Sequence, residues 1–353
     1  MRRQVNRASS GGAAGSGAGV ARISSPFPPA LRCTRRRGAI QRVGCALLLA
    51  ALLVFDIPGA GAQLHPPRVD DPLAIALGAS EPSAEPARPS SDFGLIPADL
   101  RIRNAALIGG GVLLVGAYGM AKWWDDGFSG NFRTENEGWF GANTYAGGAD
   151  KLGHAMFAYA ATRVLSSAFR AVGNDSGPAR NLALWSTLGV MTAVEIADGY
   201  SRRYKFSAQD AVMNVVGAGL GYLMERNPGL DQLVDMRLLY KKSGDSNFDP
   251  AGDYSGQRYL VTLKASGIPA LRGHEPLRYL ELAIGYGTRG YQDSDGGARS
   301  RNVYVGVSLN VAEILRRTVF RNDREPGRAQ RAAELFFEHI QLPGTAALSR
   351  HRL

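Results

Sequence analysis

Five acidic or imidazole side chains recur at helical spacing in three stretches of the chain. Asp150 and His154 lie in Gly148-Ala149-Asp150-Lys151-Leu152-Gly153-His154, Glu195 and Asp198 in Glu195-Ile196-Ala197-Asp198-Gly199, and Asp210 follows Ser207-Ala208-Gln209 with Asn214 one turn on. Each stretch sits at the edge of, or inside, an apolar segment, where an ionisable group is costly unless it is paired. Separations of three and four residues place Asp150 above His154, Glu195 beside Asp198 and Asp210 above Asn214 on single helix faces. Three helices that each turn such a pair inward assemble one polar site between them.

Three kinds of chemistry fit these residues. Asp150, His154, Glu195, Asp198 and Asp210 are hard oxygen and imidazole donors, the set that favours Mg²⁺, Mn²⁺ or Zn²⁺ as a cofactor. Carboxylate and histidine donors from facing helices build metal sites in bundle cores, although Asp-x-x-x-His departs from the paired Glu-x-x-His of di-iron bundles. The second chemistry is anion binding. Lys151, Arg202, Arg203 and Ser207 flank the start of a helix whose free N–H groups suit a phosphate or an anionic lipid head group. His154 would then be the catalytic base or nucleophile, oriented by Glu195 or Asp198. The third is structural: a satisfied buried network that fixes helix register and performs no reaction. Ser207 reads first as a helix cap and Asn214 as an interhelical hydrogen-bond partner. The chain has neither a glycine-rich phosphate loop nor a serine-nucleophile motif.

The helices that must position these residues follow an N-terminal region of different character. Of 41 lysines and arginines and 31 acids, nine arginines and one acid fall within residues 1–62, leaving 32 and 30 for the remainder. The net charge of +10 is therefore largely the leader's. A nucleic-acid binder keeps a basic face in its folded part, so this balance argues against nucleic acid as a partner. Arg35, Arg36, Arg37 and Arg42 precede the apolar run Val43 to Val54, and Ala60-Gly61-Ala62 offers a small-residue cleavage site before Gln63. That pattern predicts a cleaved export signal over 1–62, with an uncleaved membrane anchor as the alternative. Cys45 stands ahead of the apolar core, which is not the position of a lipid-attachment cysteine. Cys33 and Cys45 are the two cysteines, so after cleavage the chain would hold neither a disulfide nor a thiolate ligand.

Residues 63–98, rich in Pro, Ala, Ser and Asp, read as a linker. Ala105 to Ala121 is apolar and is closed by Lys122-Trp123-Trp124-Asp125-Asp126, which suits either a membrane interface or a buried helix. Helices are predicted over about 149–172 and 179–198. A third begins at Ser207-Ala208-Gln209-Asp210, where the serine oxygen accepts an N–H and Asp210 reaches back as a capping box, and runs to Asn227-Pro228-Gly229. Gly217 and Gly221, four apart, allow close approach of a neighbouring backbone. From Gly252 onward, aromatic and β-branched runs at 258–264, 278–286 and 302–309 predict strands. Residues 312–317 suggest a helical turn, and Glu334-Leu335-Phe336-Phe337 a short helix or an edge strand.

The run Gly147 to His154, then Glu195, Asp198 and Gly199, then Phe206, Ser207, Asp210, Asn214, Gly217 and Ala218, resembles the YfiM-like family of uncharacterised predicted periplasmic proteins, domain of unknown function 2279. The resemblance covers roughly residues 120 to 225. The order of Asp-Lys-x-x-His, a later acid, and Ser-x-x-Asp-x-x-x-Asn is similar, more loosely, to the VanZ-like membrane family. The resemblance implies export to the cell envelope and a helical core carrying Asp150, Lys151, His154, Glu195, Asp198, Asp210 and Asn214. It implies no established reaction, substrate or cofactor.

The expected fold is α+β: a four-helix apolar bundle over 99–242, in water or embedded in a membrane, then an antiparallel β region over 253–320 and a tail over 321–353. The expected protein is an exported, membrane-associated factor of the bacterial envelope with a membrane or anionic lipid as partner. Its polar cluster either locks helices and grips a lipid, or serves a metal-assisted or histidine-based hydrolase acting on an envelope phosphate or lipid.

Overall fold

A computed structural model describes residues 99–353 apart from 245–248, 293–294, 296 and 322–325. The export leader and linker expected over 1–98 lie outside the described residues. Helix α1 (Leu100–Lys122) starts at Asp99, whose carboxylate accepts the Arg101 N–H at 2.8 Å. The short strand β1 (Thr134–Glu135) follows, then a 3₁₀ turn, Tyr145–Gly148, with Gly147 and Gly148 at φ +62° and +88°. These left-handed positions, open to glycine at little cost, launch helix α2 (Ala149–Ala171). Helix α3 (Ser176–Tyr200) begins three residues earlier than the sequence suggests, because Pro178 fits a helix's first turn. Strand β2 (Phe206–Ser207) pairs with β1 in parallel and leads into helix α4 (Ala208–Arg226).

Helices α2, α3 and α4 pack against one another. A Cβ placed on Gly217 would stand 2.0 Å from the Ala155 carbonyl oxygen, and one on Gly221 would stand 2.8 Å from that of Tyr159. The two glycines therefore bring α4 onto α2 backbone to backbone, as their spacing predicts. Ala158, Met191 and Ala218 fill the point where all three helices meet.

Three helices form the packed unit and α1 attaches along its first half, so the expected four-helix apolar bundle is not confirmed as such. Leu107 and Ile108 reach Phe169, Ala179 and Ala183. Asn104 and Asn174 exchange amide hydrogen bonds of 2.7 and 3.0 Å. Beyond that point Gly109, Gly110, Gly111 and Gly116 present no side chains to a partner, and Gly119 is the helix's buried residue. Val112, Leu113 and Met120 are exposed. Among the described residues α1 is the one helix long and apolar enough to cross a membrane.

After helix α5 (Pro228–Leu233), strand β3 (Val234–Tyr240) opens the β region. It was missed by the sequence reading, which assigned these residues to the helical unit. Strand β4 (Gln257–Lys264), the turn of helix α6 (Pro269–Arg272), β5 (Leu280–Arg289) and β6 (Ser300–Leu309) extend an antiparallel meander. Helices α7 (Val311–Arg317) and α8 (Arg328–His339) follow. Strand β7 (Ile340–Gln341) then lies parallel to β3, and the chain turns through 342–345 into β8 (Ala346–Arg352), antiparallel to β6. One stretch of chain thus lies against both β3 and β6, the outer strands of the meander, and curls the six-stranded sheet, in the order β7-β3-β4-β5-β6-β8, into a barrel-like shape.

The barrel's polarity is the reverse of an ordinary soluble sheet. Val261, Ile284 and Val305 form one cross-strand row, and Leu263, Leu282 and Val307 the next; all six are exposed. The opposite faces of the same strands bury Asp235, Arg237, Thr262, Lys264, Glu281, Asn302 and Ser308. Arg237 reaches Asp235 at 2.6 Å and both oxygens of Glu281 at 2.7 and 2.8 Å, while Lys264 takes the other Asp235 oxygen at 2.8 Å. Helix α2 covers the outer face only over β3 and the start of β4, where Met156 and Tyr159 pack with Met236, Leu238 and Tyr259.

Candidate functional site

The three sequence stretches do converge. Helix α2 supplies Asp150, Lys151 and His154, α3 supplies Glu195 and Asp198, and α4 supplies Asp210 and Asn214. The Lys151 ammonium is fully buried and contacts Asp150 at 3.0 Å, Asp210 at 2.7 Å and Glu137 from the loop before α2. Burial opposes its charge, but Asp150 and Asp210 outweigh that cost and hold its pKa above the ordinary range.

His154 occupies the rim, with its side chain 21% exposed. Its Nδ1 lies 3.3 Å from Glu195 Oε1 and 3.2 Å from Asn214 Oδ1. Its Nε2 faces Asp150 Oδ1 and Asp210 Oδ2, each at 3.9 Å. Burial works against the imidazolium, yet Asp150, Asp210 and Glu195 together raise its pKa. Asp150 is pulled the other way. Burial disfavours its charge, but His154, Lys151 and the Tyr254 hydroxyl hold its carboxyl below the usual range. That hydroxyl donates to Asp150 Oδ1 at 2.5 Å.

The remaining carboxyls are driven toward the neutral form. Burial, reinforced by Asp210 and Asp198, pushes Glu195 up to about 7. Burial also pushes Asp198 up to about 6, partly offset by the Trp124 indole N–H that donates to it at 2.6 Å. Glu137 rises to about 7 through burial and the charge of Asp210. Only half of the capping box forms. Ser207 Oγ accepts the Asp210 N–H at 3.3 Å, whereas the Ser207 N–H serves Glu195 and Asp210 turns inward to Lys151.

A pH dependence follows. A folded-state pKa raised above the ordinary 4.5 means that the contribution of Glu195 is complete below about pH 4.5 and is lost as pH climbs through about 7. At about 1.4 kcal/mol per pKa unit, its ionisation costs the fold roughly 3 kcal/mol. The raised pKa of His154 acts in the same direction. The chemical-denaturation midpoint is therefore expected to fall between pH 5 and pH 8, and Glu195→Gln to make that fall shallower; an unchanged slope in the variant would contradict the assignment.

Asp150, His154 and Asp210 each turn one donor atom to a common point, with the three atoms within 4.8 Å of one another. Glu195 stands behind this trio through His154, whereas Asp198 is held by the Trp124 indole N–H and acts on the trio only through its charge. The residues considered for anion binding are not gathered. Lys151 is enclosed by carboxylates, Arg202 donates to the Phe128 carbonyl, and Arg203 pairs with Asp125 at the surface. Sequence reasoning missed Glu137, Trp124 and Tyr254, which come from a loop, a helix end and the β region. A buried Lys151 beside a single acid was the one available hint that further carboxylates must approach.

Residues 136–226 match the model of a family described as a predicted periplasmic lipoprotein, a domain of unknown function (DUF2279). The matched span holds α2, α3, α4 and the whole cluster except Trp124 and Tyr254. No curated protein and no solved structure matches the chain. That description is consistent with an exported protein of the bacterial cell envelope.

Proposed function

We propose that the protein is a membrane-associated envelope factor whose helical core holds a divalent cation on Asp150, His154 and Asp210. The observation that carries this reading is the setting of His154. Its Nδ1 is backed by the Glu195 carboxylate, leaving Nε2 turned toward two aspartates at a partly open rim. A carboxylate behind a ligating imidazole fixes its tautomer and raises its basicity. Ligand atoms about 2.1 Å from a shared ion stand about 3 Å apart, so the 3.9 Å separations close by under an ångström on binding. Mg²⁺, Mn²⁺ or Zn²⁺ there would supply Lewis-acid chemistry toward a phosphate ester or a lipid head group. Glu195 is the positioning residue. The exposed second half of α1 supports contact with a membrane. On this reading the shared order of Asp-Lys-x-x-His, acid and Ser-x-x-Asp relates the chain to YfiM-like and, more loosely, VanZ-like proteins.

The second reading is a helix-locking ion network, favoured by the complete burial of Lys151 among three carboxylates. Elemental mass spectrometry after dialysis against Mn²⁺ or Zn²⁺ separates the two. Near-stoichiometric metal in the wild type, lost in a still-folded His154→Ala, is the expected result. No metal in either protein, with the variant markedly less stable, would leave the ion network as the better account.

A further inference from the structure

The β region holds a second candidate, lined by none of the residues of the helical cluster. At the mouth formed where β3 ends and β8 runs beside β6, a cavity of about 590 Å³ opens. Lys241, Arg258, Arg289 and Arg350 line it, each from a different strand or strand end, around Tyr304. Register explains the convergence. Arg350 lies opposite Tyr304, which lies opposite Gly285 on β5, and Arg258 precedes Tyr259 opposite Tyr286. Arg258 and Arg350 stand on the same strand faces as the buried Thr262 and Tyr304, and Lys241, Arg289 and Arg350 are exposed at the rim.

The two ends of the barrel differ in how charge is balanced. Deep inside, Arg237 and Lys264 are matched by Asp235 and Glu281. At the mouth, no acidic side chain among the described residues forms an ion pair with any of the four cations. The Arg258 guanidinium is held over the Tyr304 ring, 5.2 Å from its centroid, and Tyr304 is itself buried. That contact holds the guanidinium carbon over the ring, and its N–H groups can serve a bidentate acceptor. Four cations that form no ion pair among the described residues, around a cavity in the volume range of small-ligand sites, attract a multiply charged anion.

We propose that the barrel mouth binds a phosphate-bearing ligand, either a soluble phosphorylated compound or an anionic phospholipid head group. Arg258 supplies the preorganised fork, and Lys241, Arg289 and Arg350 supply charge. A planar guanidinium fork matches the oxygens of a phosphate, and a phosphate with a charge near −2 matches the surplus better than a single carboxylate. This site is independent of the cation centre proposed for α2, α3 and α4.

The test uses the purified protein after leader removal, with two probes: inorganic pyrophosphate by titration calorimetry, and co-flotation with phosphatidylcholine vesicles with or without phosphatidylglycerol. The variant is Arg289→Glu/Arg350→Glu, whose positions are exposed, so its unfolding midpoint should match the wild type. Pyrophosphate binding weakened at least tenfold in the variant supports the proposal with a soluble ligand as the source. Flotation only with phosphatidylglycerol vesicles, lost in the variant, supports it with a lipid head group as the source. Binding of neither probe, or binding unchanged in the variant, overturns it. His154→Ala should retain both signals while losing metal from the helical centre, so that the two sites fail or stand separately.

Discussion

Gly217→Ala is expected to be among the most damaging single-atom additions to this protein. The new methyl carbon would stand 2.0 Å from the Ala155 carbonyl oxygen and 2.7 Å from its carbonyl carbon, so backbone must move. Overpacking of this kind typically costs about 1–3 kcal/mol, and a backbone obstacle places it at the upper end or beyond. Gly219, two residues on, faces open space. There the same substitution should stabilise by up to about 1 kcal/mol, because alanine is the better helix former. Paired denaturant titrations of the two variants check both signs. Equal effects would show that helix propensity, and not contact with α2, governs this face. If the proposed cation is bound, Gly217→Ala should also weaken its retention, since separating α4 from α2 draws Asp210 away from Asp150.

Arg237→Ala is expected to cost about 3–5 kcal/mol, the usual penalty for removing one partner of a buried charge pair. Asp235 is fully buried and Glu281 nearly so, and Arg237 satisfies oxygens on both. Lys264 would remain on Asp235, but Glu281 would keep only the Ser308 hydroxyl at 3.1 Å. Arg237→Lys should be nearly as harmful, because an ammonium cannot reproduce the fork that spans two carboxylates. A loss under 1 kcal/mol in urea titrations would mean that water reaches the barrel interior and solvates the exposed acids.

Much of the helical unit was readable before any coordinates. The pairing of Asp150 with His154 and of Asp210 with Asn214, and the close approach at Gly217 and Gly221, follow from a fixed helical period and need no tertiary information. The strands at β4, β5 and β6 were also located, though not which face each side chain takes. Alternating strands are ordinarily read with apolar residues inward, and here Asp235, Arg237, Glu281 and Lys264 are inside. For the same reason β3 went unseen: Val234-Asp235-Met236-Arg237-Leu238-Leu239-Tyr240 carries two charges that count against a buried strand unless their partners are known. Those partners sit on β4 and β5, tens of residues away. Barrel closure depends on the two residues of β7, too few to leave a pattern. Glu137 and Tyr254 were invisible because each joins the cluster from outside the helices whose spacing defined it. How far the first apolar helix packs was not legible, because hydrophobicity alone does not distinguish a helix with side chains to pack from one interrupted by glycines.

The hydroxyl of Tyr254, donated from just before β4 to Asp150 on α2, has a thermodynamic consequence. Arg163 of α2 reinforces the same junction, reaching Asp231 at 2.7 Å and Glu338 of α8 at 3.3 Å. Asp150 therefore belongs at once to the polar cluster and to the seam between helices and barrel. A proton or a cation taken up by Asp150 competes with the Tyr254 hydroxyl for the same oxygen, and so changes how firmly the barrel is seated. Linkage makes the effect reciprocal: whatever loosens the barrel from α2 alters the affinity of the cluster by the same factor. The Asp150–Tyr254 contact is thus one of the links through which the seating of the β region and the protonation of the cluster affect each other.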